Sequence, residues 1–441
     1  MSIITRSGMK TGWIIRRRGL AANPQMIYLF FSNLIILFTG MGLFPLLPLY
    51  ASQLGANHTM VGNFFTIIYI ANAAGPLLTS LLVRRVTRKN LFIASGVLGI
   101  PALLLLGQAT TFWQVVVLTS VLWFSGGMSL TLIGIFTGLN ANAGSRGKSF
   151  SLMALTAPLG ALTGGAAIGQ LVAWNGYGSM FVVLGLVWAI LPAIGFLGLT
   201  DQPAIKPAAP AQPGKSERRS AGSVYLLLLL TLLFTMAVSI GRFGTSISMQ
   251  AFDFSPSAVA SSATISGLVA IPATFLIGTL SDRLGRKRFL VISYLLASGG
   301  ALILSTATQL WQFWLAASLL MLALSAKGAL TSAMVTDMLA PEKLNRGLSW
   351  LNATNSLAGI LSFSSAGYAM EHLGMKPVFL IVAALPILAA ILLEISSRVH
   401  QAATPARSRQ QSESTPDHSQ NYKSDCRSGP APYPSQCMSL H

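Results

Sequence analysis

The chain has 441 residues, of which 53% are hydrophobic and 9% charged, and its formal net charge is +18. A soluble domain carries roughly a quarter charged residues, so composition excludes a water-soluble globular enzyme as the body of the molecule. In a soluble chain the strong positive charge would suggest nucleic-acid binding, but its placement between apolar runs excludes that reading too.

Residues 1–26 are basic and free of acids, with Arg6, Lys10 and Arg16 to Arg18. They superficially resemble an organelle presequence or a twin-arginine signal. No small-residue cleavage site follows, and the next apolar run is long enough to span, so a cytoplasmic flank is expected. Runs of about 20 apolar residues, the length that crosses a hydrocarbon core as a helix, then recur. They predict membrane helices over 27–49, 59–83, 90–108, 113–137, 149–173, 177–199, 223–247, 258–280, 289–307, 311–334, 347–370 and 375–396. Gly40, Gly42, Pro45 and Pro48 within the first run predict a bend that neighbouring helices can satisfy.

Between the sixth and seventh runs, residues 200–222 are rich in Ala, Pro and Lys and read as a cytoplasmic linker. Residues 398–441 read as a disordered cytoplasmic tail, and Cys426 and Cys437 within it as unpaired thiols. The expected organisation is a basic N-terminus (1–26), a six-helix half (27–199), the linker, a second six-helix half (223–397) and the tail. Of the 29 Lys and Arg residues, all but Lys376, Arg242 and Lys327 fall in segments that lie inside if the N-terminus is cytoplasmic. That bias places both termini in the cytoplasm and offers the basic loops to anionic lipid headgroups.

The two halves repeat. The stretch GTLSDRLGRK, Gly278 to Lys287, has a degraded copy, SLLVRRVTRK, at Ser80 to Lys89. TTFWQVVV at Thr110 to Val117 pairs with TQLWQFWL at Thr308 to Leu315, and Arg146-Gly147 with Arg346-Gly347. The spacing is 198 to 200 residues throughout, which points to an internally duplicated membrane transporter. The second-half stretch resembles the loop signature G-x-x-x-D-R-x-G-R-K of the major facilitator superfamily, with Gly278, Asp282, Arg283, Gly285, Arg286 and Lys287 in place. Pro45, Pro48 and Tyr50 are similar to the P-x-x-P-x-Y of the drug:proton antiporter branch, and GALTGG at Gly160 to Gly165 resembles part of that branch's fifth-helix signature. The resemblance covers about residues 27–397. It implies an all-α membrane protein of twelve transmembrane helices in two homologous halves that rock around a central site. It also implies a cytoplasmic gate of Gly278, Asp282, Arg283, Gly285, Arg286, Lys287, Asp337 and Arg346, with Asp282 as latch acceptor.

The first half departs from the family in one respect: no Asp or Glu precedes Asp201, so carboxylate-based proton coupling cannot reside in the first six helices. Ionisable groups inside a membrane are expensive and point to function. Lys327, deep in the tenth helix, is expected to face the cavity or to snorkel towards the cytoplasm. Arg242, near the outer end of the seventh and matching Phe44 in the repeat, is expected to snorkel outward or to be a substrate-cavity residue. Asn33, Trp123, Asn352 and Asn355 complete the substrate-cavity candidates, with Asn63, Asn72 and Phe124 beside them.

The two Gly-Lys-Ser triplets lack the upstream glycine of a phosphate-binding loop, and there is no paired nucleophile and base. No enzyme activity, cofactor or metal is expected. The expected function is secondary active transport, exporting a small amphipathic molecule from a bacterial plasma membrane, with protons as coupling ion and a monomer as the working unit. An organic-anion facilitator or exchanger, motivated by Lys327, and a non-transporting sensor or scaffold of the same fold are the alternatives.

Overall fold

In the computed structural model the described residues are 24–140, 146–201, 221–339 and 341–413. Side chains are not described for 146–148, 221–223, 275, 277–284, 329, 332–333, 337, 341–346 and 397–413. The described residues are helical throughout, apart from short turns. In chain order the helices are α1 (Pro24–Leu43), α2 (Leu47–Gln53), α3 (His58–Leu82), α4 (Arg88–Leu106), α5 (Phe112–Asn140), α6 (Arg146–Ala154) and α7 (Thr156–Trp188). They continue with α8 (Ile190–Gly198), α9 (Ala221–Ala251), α10 (Pro256–Leu284), α11 (Arg286–Leu304), α12 (Leu310–Met338), α13 (Pro341–Leu373) and α14 (Met375–Glu413).

Ten stretches among the described residues are long and apolar enough to cross a membrane. One of them, Ser149–Gly198, holds two crossings, because α7 breaks at Asn175 and Gly176, where φ reaches +75°. A β-carbon would be strained there, and glycine is not. The twelfth crossing is α13, whose interior is too rich in Ser, Asn and Thr to register by hydropathy. The expected twelve-helix architecture is therefore present, with bounds within about four residues of those read from the apolar runs except at the start of α13, which begins at Pro341, and the end of α14, which runs to Glu413.

The duplication is equally plain. Residues 88–106 and 286–304 are one pair of helices, and 112–140 and 310–338 another, each offset by 198 at both ends. The repeated Trp-Gln stretch turns out to be a helix-start device. Gln114 Oε1 accepts from the backbone N–H of Thr110 (2.8 Å) and Thr111 (3.2 Å), and Gln312 Oε1 accepts from Thr308 (2.7 Å) and Gln309 (2.9 Å). Each glutamine satisfies amides that the first helical turn leaves unpaired.

Pro45 and Pro48 act as expected. They end α1, leave a turn at 44–46 and begin α2, because proline has no N–H for the helical ladder. Tyr50 then anchors α2: its hydroxyl donates to Leu106 O (2.8 Å) and its ring stacks on Tyr177 (4.7 Å).

The burial pattern is that of a bundle in lipid. Phe196 and Leu197 are 70% and 80% exposed, whereas Ser95, Ser125 and Ser129 are buried and bonded across α4 and α5, with 2.8 Å between the hydroxyls of Ser95 and Ser129. Water is absent from such an interior, so polar side chains must find partners between helices.

Two compact units divide the chain, 1–390 and 391–441. Within the first, the halves meet along α7 against α10 and α3 against α13. Helix α14 runs to Glu413, so the tail expected to be disordered from 398 begins in helix, where Ala402, Ala403, Ala406, Arg407, Gln410 and Gln411 are good helix formers.

Candidate functional site

The cross-half contacts gather at one end of the bundle, where α3 begins and α13 ends. Glycines let the backbones touch: a β-carbon on Gly267 would lie 2.5 Å from Leu162 N and 2.6 Å from Pro158 O. On the other interface Thr66 Oγ1 donates to Ile360 O (3.0 Å), and Ser364 Oγ donates to Asn63 Oδ1 (2.7 Å). Asn63, expected in the cavity, thus serves this contact.

Just inside lies an aromatic plug drawn from both halves. Phe65 packs against Phe44 (5.1 Å), Phe243 (5.2 Å) and Phe363 (5.3 Å), and Tyr69 against Phe363 (4.7 Å).

Beneath the plug are two cavities that share Met41, Phe44 and Arg242. The larger, of about 140 Å³, is walled by α1, α3 and α5, together with Trp188 of α7 and Arg242 of α9. The smaller, of about 30 Å³, lies between α1, α7, α9, α10 and α12. Arg242 therefore does not snorkel outward. Its guanidinium sits 4.7 Å from the centre of the Phe44 ring, and Nη2 donates to Met41 Sδ at 3.4 Å. The face of an aromatic ring attracts a cation, and the residue that the repeat pairs with Arg242 supplies that face.

Lys327 also departs from expectation. It is 3% exposed and lines neither cavity. Its Nζ donates to Thr235 Oγ1 (2.9 Å) and Asn355 Oδ1 (2.6 Å), and Thr235 in turn donates to Asn355 Oδ1 (3.1 Å). The ammonium joins α9, α12 and α13 and lines neither of these two cavities.

The remaining candidates separate clearly. Trp123 and Asn72 line the larger cavity, as does Trp188, which the sequence reading did not select. Asn33 spends its amide on Met153 O (3.2 Å) and Thr156 Oγ1 (2.6 Å), holding α1 against the α6–α7 junction. Asn355 belongs to Lys327, Asn352 is exposed, and Phe124 is not among the cavity walls.

Of the gate residues, Gly285 is the turn between α10 and α11 at φ +84°, a conformation that favours glycine. The equivalent position in the first half is Thr87, at φ −62°, whose hydroxyl caps α4 by accepting from Asn90 N (3.3 Å). Arg286 and Lys287 open α11. Gly278 lies within α10, and the side chains of Asp282, Arg283, Asp337 and Arg346 lie outside the described residues.

Two carboxylates that the sequence did not single out hold helix starts. Asp201 Oδ2 accepts from Lys89 N (3.3 Å) at the start of α4, so the acid missing from the first-half loop arrives from beyond α8. Glu371, which falls between the runs expected at 347–370 and 375–396, lies in the last turn of α13 and accepts from Thr59 N (2.8 Å) across the half boundary. The Thr59 hydrogen bond, with His58 and His372 nearby, holds the Glu371 carboxyl below its usual value.

A group so lowered stabilises the contact above its ordinary pKa and loses that contribution as pH falls through the lowered value. Acidification of the face bearing Glu371 is therefore expected to loosen the start of α3, and Glu371→Gln to loosen it at neutral pH. The protection factor of the Thr59 amide, with the intrinsic pH dependence of exchange divided out, should fall roughly 2- to 5-fold in either case, and unchanged protection in the variant would dismiss the contact as incidental.

Comparison with known proteins agrees with this architecture. The model of the family described as Major Facilitator Superfamily matches residues 29–248 and again 227–430. Relatives include Multidrug resistance protein MdtG of Salmonella choleraesuis (strain SC-B67), 24% identical over 338 residues, which are 73% of this chain and 79% of the relative. MdtG of Enterobacter lignolyticus (strain SCF1) is 26% identical over 386 residues, 80% of this chain and 87% of the relative. Among solved structures, the POT family transporter PepTSo aligns with a TM-score of 0.68 at 12% identity, covering 86% of this chain and 98% of the other. The nucleoside transporter NupG aligns at 0.67 and 16%, covering 84% and 98%; at these identities the likeness concerns the fold alone.

Proposed function

This chain belongs to the major facilitator superfamily, and on that footing we propose that it exports small amphipathic molecules across a bacterial plasma membrane by alternating access. One observation carries the reading: an aromatic-lined cavity lies inside the bundle, beneath a plug built jointly by the two halves. Such a cavity can open to one side at a time if the halves rock about it. The relatives named multidrug resistance proteins support export and a small-molecule substrate.

The distribution of Lys and Arg assigns both termini to the cytoplasm. The start of α3 and the end of α13 then face outward, and the conformation described is closed to the outside. The basic loops meet anionic lipid headgroups, and a single chain is the transport unit. Protons are the coupling ion suggested by the likeness of Pro45, Pro48 and Tyr50 to the antiporter branch.

The test is flux into and out of proteoliposomes for benzenesulfonate, benzyltrimethylammonium and chloramphenicol, with and without an imposed pH gradient. Saturable movement of at least one probe, accelerated by the gradient, supports the reading. Movement of none beyond protein-free liposomes overturns transport, and a rate indifferent to the gradient overturns proton coupling.

Asp282 is assigned the cytoplasmic latch, closing that face when the outer face opens. A single ion pair biases such an equilibrium by a few kcal/mol at most. Asp282→Asn is expected to lower the transport rate roughly 5- to 30-fold at unchanged surface expression, and unaltered kinetics would remove Asp282 from the gate.

A further inference from the structure

The cavity carries one charge, and its environment specifies the sign of what it holds. Arg242 lines both interior spaces. A guanidinium presents five N–H donors, yet its partners among the described residues are the Met41 thioether and the Phe44 ring. Neither is an anion. Every other residue lining the larger cavity comes from the first half, and residues 1–200 contain no Asp or Glu. No rearrangement confined to those cavity walls can bring a carboxylate to Arg242.

Lys327 adds a second buried cation, bonded to two neutral acceptors. The membrane core therefore holds two positive charges with no negative partner among the described residues, and a low-dielectric cavity in that field concentrates anions.

The shape narrows the class. About 140 Å³ is close to the volume of an engineered protein cavity that binds benzene. Phe44, Tyr69 and Trp123 provide aromatic walls.

We infer that this cavity takes a small aromatic monoanion, its carboxylate or sulfonate on Arg242 and its ring between Phe44, Tyr69 and Trp123. Two parallel N–H···O bonds from a guanidinium to such a group are short and directional. The preference for anions rests on the transport reading above and names the substrate class of that same site. Lys327, the residue the sequence offers as an anion anchor, has its two hydrogen bonds and its Phe234 ring contact directed elsewhere, so recognition falls to Arg242.

The experiment compares three probes that share a phenyl ring: benzenesulfonate, benzyl alcohol and benzyltrimethylammonium. Binding to the purified full chain is read by tryptophan fluorescence, and flux of the two ions is read in proteoliposomes. Benzenesulfonate is expected to bind and move in preference to the others, and Arg242→Gln to weaken its binding roughly 10- to 100-fold. Arg242→Lys, which keeps the charge and loses the fork, should retain the preference for the anion at lower affinity. Unfolding midpoints of both variants separate loss of the site from loss of the fold, and the wild-type preference stands as a test should Arg242→Gln fail to fold.

Preferential movement of benzyltrimethylammonium, or anion binding that Arg242→Gln leaves unchanged, overturns the anion site and leaves transport standing. Movement of none of the probes, chloramphenicol included, overturns the transport reading and this inference with it.

Discussion

Gly267→Leu is expected to reduce transport by roughly 5- to 150-fold without removing the protein from the membrane. A β-carbon at that position would sit 2.5 Å from Leu162 N and 2.6 Å from Pro158 O. Both are backbone atoms of a packed helix and cannot swing aside as a side chain would. Overpacking of this kind costs about 1–3 kcal/mol, and that cost falls only on the conformation in which α10 meets α7. The halves themselves can stay folded while the conformation in which α10 meets α7 becomes less populated. Gly134→Leu is the matched control, because nothing lies within 4 Å of a β-carbon there, and its flux should stay within about 2-fold of wild type. Equal flux from Gly267→Leu and wild type, at equal surface level, would show that this approach is not part of the cycle.

Asn355→Leu is expected to destabilise the protein by about 2–3 kcal/mol, because Asn355 Oδ1 is the nearest acceptor of the buried Lys327 ammonium. Hydrogen bonds to charged groups contribute about 1.5–3 kcal/mol, and an ionised group left short of a partner costs more than a neutral one. Lys327→Met should be within about 1 kcal/mol of wild type, since it removes the charge and leaves Thr235 bonded to Asn355. The informative variant is the double one. If Asn355 serves the ammonium, Lys327→Met with Asn355→Leu recovers most of what Asn355→Leu alone loses, and the cycle shows a large coupling term. Strict additivity in unfolding midpoints would mean that the contact contributes nothing.

Much of the fold was legible because its determinants are local. Helix length is set by bilayer thickness, which the apolar runs report directly. The breaks at Pro45 and Pro48 and at Gly176 follow from single residues whose backbone chemistry excludes continuous helix. The duplication was visible in three short matches, and the helix ends repeat its offset of 198. The Trp-Gln match was legible as a repeat, while its cause, a glutamine pairing the amides of a helix start, needed the geometry.

The site was legible only in part, because its contacts span long sequence separations. Arg242 turns inward on account of Phe44 and Met41, some 200 positions earlier, and its place near a helix end alone left snorkelling and the cavity both open. The signal was present in the repeat, which pairs Arg242 with Phe44, and residues so related meet where the halves meet. Asn33 reads as a cavity residue until Thr156 claims its amide. Glu371 reads as a loop acid until Thr59, 312 positions away, shows it holding a helix start. Trp188 sits at the cavity edge with its indole N–H on Gly96 O (3.1 Å), and nothing in its immediate neighbourhood distinguishes it from a packing tryptophan.

The central claim is that the outer face opens and closes around the cavity, and the distance across that face tests it most directly. Spin labels at Gln53 and Leu373, both exposed and at helix ends on opposite halves, would be placed in a chain whose Cys426 and Cys437 are replaced by Ser. Alternating access predicts two distance populations, a short one that matches the closed outer face and a longer one. The balance between them should shift with an imposed pH gradient and with benzenesulfonate, and Gly267→Leu should move it to the longer distance. One distance, unchanged by gradient, ligand and that substitution, would contradict the account.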